Sequence, residues 1–115
     1  MAISAEGLKE LRTNAAIKGS AVISKDGIVV AADLPAGVYL DTFAIMCATV
    51  LGAAITAHSE LNLPSPRNVV IASDGDSTVI LNSGKKTLIV IMIAKGNDIT
   101  KVIDEISPIT SKFST

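Results

Sequence analysis

Aromatics, cysteine, histidine and arginine are all scarce in this 115-residue chain, and each scarcity excludes something. Aromatic residues make up 3% of the sequence, with no tryptophan, which counts against a small-molecule sensor whose pocket is lined by rings. The single cysteine, Cys47, excludes an intramolecular disulfide framework, and one histidine beside it makes a structural zinc site a poor expectation. That cysteine usage suits a reduced, cytoplasmic compartment. Met1–Arg12 has no charged-then-apolar leader, so no secretory signal is expected. A net charge of −1 removes the electrostatic reason to expect a nucleic-acid partner. Hydrophobic residues reach 49% against 18% charged, the opposite of a disordered chain, and the length suits one domain spanning 1–115.

The order of elements follows from caps, periods and turns. Ser4 caps a short first helix, with Glu6 at the positive end of its dipole and Ile3 stapled to Leu8; it runs to about Asn14 or Ala16. Gly19 opens two apolar runs, Ala21–Ile23 and Ile28–Ala31, joined through Asp26-Gly27, a hairpin signal because glycine accepts positive φ. Asp41 is the expected cap of a long second helix, Asp41–Leu61, stopped by Pro64 and Pro66. Strands are expected at Asn68–Ser73, Ser77–Asn82 and Thr87–Ala94, joined by Asp74-Gly75-Asp76 and Ser83-Gly84-Lys85-Lys86. Asn97 or Asp98 caps a last helix with Ile99, Val102, Ile103 and Ile106 on one face, ended by Pro108. The core is thus expected over about 4–108, with 109–115 a short tail.

Hairpin connections make the sheet antiparallel, so the fold class is α+β with five strands in the order α-β-β-α-β-β-β-α. Leu88–Ile93 is apolar at every position, the mark of a strand buried on both faces. Helices must then cover both sides, giving three layers, with the second helix on one side and the first and last on the other.

On the wheel of the second helix, Thr42, Thr49, Thr56 and Glu60 form one narrow polar stripe, and the apolar or small remainder spans roughly 260°. A helix covering one sheet face needs a far narrower apolar stripe. The excess predicts self-association through the flank Ala44, Ala48, Gly52, Ile55 and Ser59, whose small residues admit a second backbone. The 18 uncharged residues Thr42–Ser59 would span roughly 27 Å, slightly short of a hydrocarbon core and interrupted by threonines and His58, so no membrane insertion is expected.

Catalytic chemistry finds little support. His58 has no nucleophile or carboxylate aligned with it on the helix, and Cys47 no cation to activate it. Gly84-Lys85-Lys86 lacks the first glycine of a phosphate loop, Val79 standing there, and joins two strands. Asp74 and Asp76 suit a turn better than a cation site. An arginine finger could come only from Arg12 or Arg67, and surface roles suit both better. No enzyme, cofactor or metal is expected.

Gly19–Leu34, read as glycine, apolar strand, Asp26-Gly27 turn, apolar strand, then Asp33-Leu34, resembles the first hairpin of the roadblock (dynein light-chain) family. The long Ala/Gly-rich helix and three hairpin-linked strands extend that resemblance over about Ser4 to Pro108. It implies a profilin-like α/β/α sandwich and a homodimer that pairs the third strand, here Val69, Val70 and Ile71, across a two-fold axis and packs the second helices together. It also implies a non-enzymatic role as an adaptor or regulator binding a Ras-like small GTPase. The polar stripe Thr42, Thr49, Thr56 and Glu60, which such a dimer leaves as a paired helical platform, is the expected partner-binding surface. A scaffold subunit of a motor or signalling complex, without nucleotide linkage, is the alternative.

Overall fold

The computed structural model describes residues 3–114. Helix α1 (Ala5–Lys9) runs into a 3-10 turn (Glu10–Thr13), followed by strands β1 (Ile17–Ser24) and β2 (Val29–Asp33). Helix α2 (Leu40–Glu60) precedes β3 (Asn68–Ile71), β4 (Ser77–Leu81) and β5 (Thr87–Ile93). Helix α3 (Ile99–Thr110) continues into a second 3-10 turn (Ser111–Phe113). The strands form one antiparallel sheet in the order β2-β1-β5-β4-β3.

β5 lies at the middle of this sheet, and Leu88, Ile89, Val90, Ile91 and Ile93 are each 0% exposed. Its side chains alternate between two cores, as the pleat requires. Ile89, Ile91 and Ile93 meet Leu8, Leu11, Val102, Ile106 and Phe113 from α1, α3 and the turns beside them. Leu88 and Val90 meet Ala44, Cys47 and Leu51 of α2 on the other face. The three layers therefore stand as expected.

Local chemistry fixes the ends. Ser4 Oγ accepts from Gly7 N at 3.2 Å and Asp98 Oδ1 from Lys101 N at 3.2 Å, capping α1 and α3. Gly27 turns the first hairpin at φ 92°, and a β-carbon there would stand 3.3 Å from Ile45 Cα, so the hairpin tip lies against α2. Arg12 of the first 3-10 turn holds the end of β2 through two bonds to Asp33, Nε to Oδ2 at 2.7 Å and Nη2 to Oδ1 at 3.1 Å.

Four expectations need correction. β1 begins at Ile17, four residues early, because a bulge between Ile17 and Gly19 lets Lys18 point to solvent without ending the strand. Gly19 is a close-approach site within it: a β-carbon would sit 2.9 Å from Asp33 O. Asp41 lies inside the first turn of α2, whose cap position is Tyr39 and carries no side-chain hydrogen bond. Pro108 does not end the last helix, which continues to Thr110. The Asp104 carbonyl, which the proline cannot reach, accepts instead from Ser107 Oγ at 3.0 Å. The core accordingly extends beyond residue 108, since Phe113 is 2% exposed among α1 and α3 side chains.

Burial pushes the Cys47 thiol up to about 11. The unfolded thiol ionises first, so this group costs the native state stability as pH climbs from about 8.5 towards 11. Native protein at pH 8 is expected to alkylate with iodoacetamide at least about tenfold more slowly than the chain unfolded in guanidinium, read by intact mass against time; equal rates would contradict the burial. Leu51, 1% exposed under α2, offers the matching packing test. Leu51→Ala is expected to cost about 2–5 kcal/mol in urea unfolding, and Thr49→Ala, on the outward face, within about 0.5 kcal/mol of nothing.

Candidate functional site

Helix α2 uses one face for the sheet and leaves the other bare. Ala44, Cys47 and Leu51 are buried, with Phe43, Ala48 and Ile55 packed beside them. On the outward face Thr42, Thr49, Thr56 and Glu60 are all exposed, so the polar stripe points away from the sheet. It is flanked by apolar side chains left partly open: Ile45 is 51% exposed, Met46 52% and Val50 37%. Thr49 Oγ1 donates to Ile45 O at 2.7 Å, which spends its hydroxyl proton on the helix and leaves its methyl group and lone pairs outward.

Ala44 cannot belong to an intersubunit contact, because it is 0% exposed against the chain's own sheet. Ala48 and Ile55 are half-buried in the same direction. The small residues do permit a close approach, but the backbone approached at Ala44 and Ala48 is that of the sheet. Gly52 and Ser59 are exposed, and a β-carbon built on Gly52 meets nothing within 4 Å, leaving room there for a second chain. The exposure of Ile45 and Met46 becomes predictable only once the buried face is known, because the wheel is apolar on both sides of the stripe.

The two edges of the sheet differ. In β2, Val22 pairs with Ala31 and Ile23 with Val29, so Val30 bulges out of the ladder. A bulge disrupts the regular edge that another strand would need. β3 pairs with β4 in unbroken register from Asn68 to Ile71. Val69 is half-buried beneath α2, whereas Val70 and Ile71 are 44% and 45% exposed. A straight edge bearing exposed β-branched residues leaves a regular row of backbone groups open to another strand.

The groups considered for chemistry are committed elsewhere. His58 Nδ1 donates to Pro64 O at 2.9 Å and Leu63 N returns a bond to His58 O at 2.9 Å, fastening the chain that leaves α2. Arg12 is held on Asp33. Asp76 accepts from Lys95 N at 3.0 Å and pairs with Lys18 at 3.2 Å; those contacts hold its carboxyl below the usual range. Asp76 thus joins the β3–β4 turn to the chain after β5. Lys85 and Lys86 are exposed on the turn between β4 and β5. Among the described residues, no group of three or more His, Cys, Asp or Glu side chains is placed to hold a metal.

A trench of about 720 Å³ lies on the opposite face of the sheet, between α3 and the β3–β4 edge, with Val70, Leu81, Ile99 and Ile103 among its lining. No local pattern points to it, because α3 reads as a helix that closes its side completely. Its polar residues are partly spent: Asn82 Nδ2 donates to Pro66 O at 3.1 Å and Ser83 Oγ to Thr87 O at 3.2 Å. Arg67, Thr100 and Asp104 line it as well, so the trench mixes polar and apolar side chains.

Comparison with known proteins agrees with this architecture. MJ0714, described as an uncharacterized protein of Methanocaldococcus jannaschii, is 33% identical over 90 residues, 78% of this chain and 76% of that one. Among solved structures, Myxococcus xanthus MglB superposes with a TM-score of 0.86 at 14% identity, covering 96% of this chain and 90% of MglB. Schizosaccharomyces pombe profilin superposes at 0.65 with 13% identity, covering 96% and 92%, so the sandwich is profilin-like. A family model described as the Roadblock/LC7 domain matches residues 4–92, and with the straight β3 edge and bare α2 face beside it, the chain belongs to the Roadblock/LC7 family.

Proposed function

We propose that this protein is a non-enzymatic cytoplasmic adaptor that forms a homodimer through β3 and α2 and presents the outward face of α2 to a Ras-like small GTPase. The observation that carries the reading is the contrast between the two sheet edges: Val30 bulges out of β2, while β3 is straight and exposes Val70 and Ile71. Pairing β3 with its symmetry mate would satisfy its outer backbone groups and bring two α2 helices side by side over the joint. Gly52 and Ser59 would lie at or near the helix contact. Thr42, Thr49, Thr56 and Glu60 would remain as a paired platform, and the GTPase assignment follows from membership of a family in which such partners occur. Fold alone does not decide the partner.

In light scattering, the purified chain is expected at twice its 11.8 kDa mass, and Gly52→Arg, with a large cation in the contact, is expected to shift it towards monomer or aggregate. A wild-type monomer would remove the homodimer. Thr49→Arg is expected to weaken binding of a Ras-like GTPase at least about tenfold by calorimetry while the dimer mass stays unchanged. Unchanged affinity would exclude the stripe as the contact. Partner capture that is indifferent to GDP or GTP would favour a scaffold subunit instead.

A further inference from the structure

We propose that Arg67 and Asp74 form reciprocal ion pairs between two copies of this chain, so that the β3 edge selects its own duplicate as partner. The inference rests on the homodimer reading above and concerns what makes that edge self-specific.

Arg67 immediately precedes β3, and Asp74 lies three residues beyond its last residue. Both are exposed, and among the described residues neither side chain takes part in a hydrogen bond or ion pair. Their neighbours are spent inside the fold: Asp76 on Lys18 and Lys95 N, and Lys25 Nζ on Asn82 Oδ1 at 2.6 Å. The charges left over thus stand at opposite ends of the one straight, unpaired edge, positive at its start and negative past its end.

Both ends are anchored as well. Asn82 N donates to Arg67 O at 2.9 Å and Asn82 Nδ2 to Pro66 O at 3.1 Å, fixing the entry to β3. Beyond the strand, Ser73 Oγ donates to Asp76 O at 2.5 Å and accepts from Gly75 N at 3.2 Å, fixing the turn that carries Asp74.

A two-fold axis through the middle of β3 pairs it antiparallel with itself, bringing the start of each strand beside the end of the other. Such an axis stands normal to the sheet and keeps each side chain on its own face, so it passes at a residue and not between two. With the axis at Val70, Arg67 stands opposite the partner's Ser73, one residue from the partner's Asp74. Arg67 and Asp74 both lie in bends just outside β3, where strand alternation no longer sets the face of a side chain. That register brings the two charges within side-chain reach, and symmetry makes the contact twice. An edge carrying one sign at both ends would repel its own copy, whereas this edge complements itself.

The experiment uses Arg67→Glu, Asp74→Lys and the double variant, with dimer dissociation measured by analytical ultracentrifugation at low and high salt. Each single variant places like charges at both contacts and is expected to weaken its homodimer roughly tenfold at low salt, and less at high salt. An equimolar mixture of the two single variants restores opposite charges at both contacts. Native mass spectrometry is then expected to show predominantly the mixed dimer, and the double variant is expected to dimerise with itself like the wild type. Recovery in the mixture and in the double variant separates lost pairing from lost folding. Single variants that dimerise as tightly as the wild type, or a mixture at the statistical 1:2:1, would overturn the ion pairs while leaving the homodimer standing. Failure of the double variant to recover would overturn them too. A wild-type chain that stays monomeric overturns both this proposal and the homodimer.

Discussion

Burial of β5 on both faces is the constraint from which the remaining architecture follows. A strand with Leu88 to Ile91 and Ile93 fully buried cannot lie at an edge or face water on either side. It must have strands on both flanks, and β1 and β4 fill those places. It must also have helices above and below, and α2 takes one side while α1 and α3 take the other. With only five strands, that leaves β2 and β3 as edges. The chain then treats them differently, disrupting β2 with the Val30 bulge and leaving β3 regular.

The same constraint explains why α2 keeps an uncovered outward face. Its sheet-facing side is narrow, centred on Ala44, Cys47 and Leu51, yet the helix stays apolar well beyond it. α2 is long and apolar enough, by length and composition, to cross a membrane, but one face is already engaged by Ile80, Leu88 and Val90. What remains is a band of Ile45, Met46 and Val50 around a threonine stripe. Mixed small polar and apolar side chains of this kind suit a protein contact, where an apolar centre is wanted and fixed charge costs desolvation.

Much of this was legible in the residues, for identifiable reasons. The unbroken apolar run Leu88–Ile93, the Asp26-Gly27 turn and the caps at Ser4 and Asp98 each have one dominant physical meaning, and the structure places them accordingly. Where two effects compete, the sequence was ambiguous. Pro108 reads as a helix stop, but the Ser107 hydroxyl takes the stranded Asp104 carbonyl and Phe113 anchors the following turn. Lys18 and Gly19 read as a loop, but a bulge absorbs the lysine and Gly19 passes close to the chain after β2. Ala44 and Ala48 read as room for another chain because small residues signal close approach without naming the neighbour. The trench beside α3 depends on how far one helix reaches across five strands, which no local pattern encodes.

Hydrogen-bond satisfaction separates the structural polar groups from those left for recognition. His58, Asp76, Arg12 and Asn82 each have a partner that fastens one segment of the chain to another, so altering them would disturb the scaffold before it disturbed a partner. Thr42, Thr56 and Glu60 have no such duty among the described residues and lie on an exposed face beside uncovered apolar side chains. A side chain free of structural duty can change its contacts at little cost to the fold, which is the condition for a surface tuned to its partner. Chemistry at a reaction centre would demand the reverse, with a nucleophile or base held by a second group that orients it. Here the orienting bonds belong to the scaffold and the free groups lie on the outside, an arrangement suited to holding another protein.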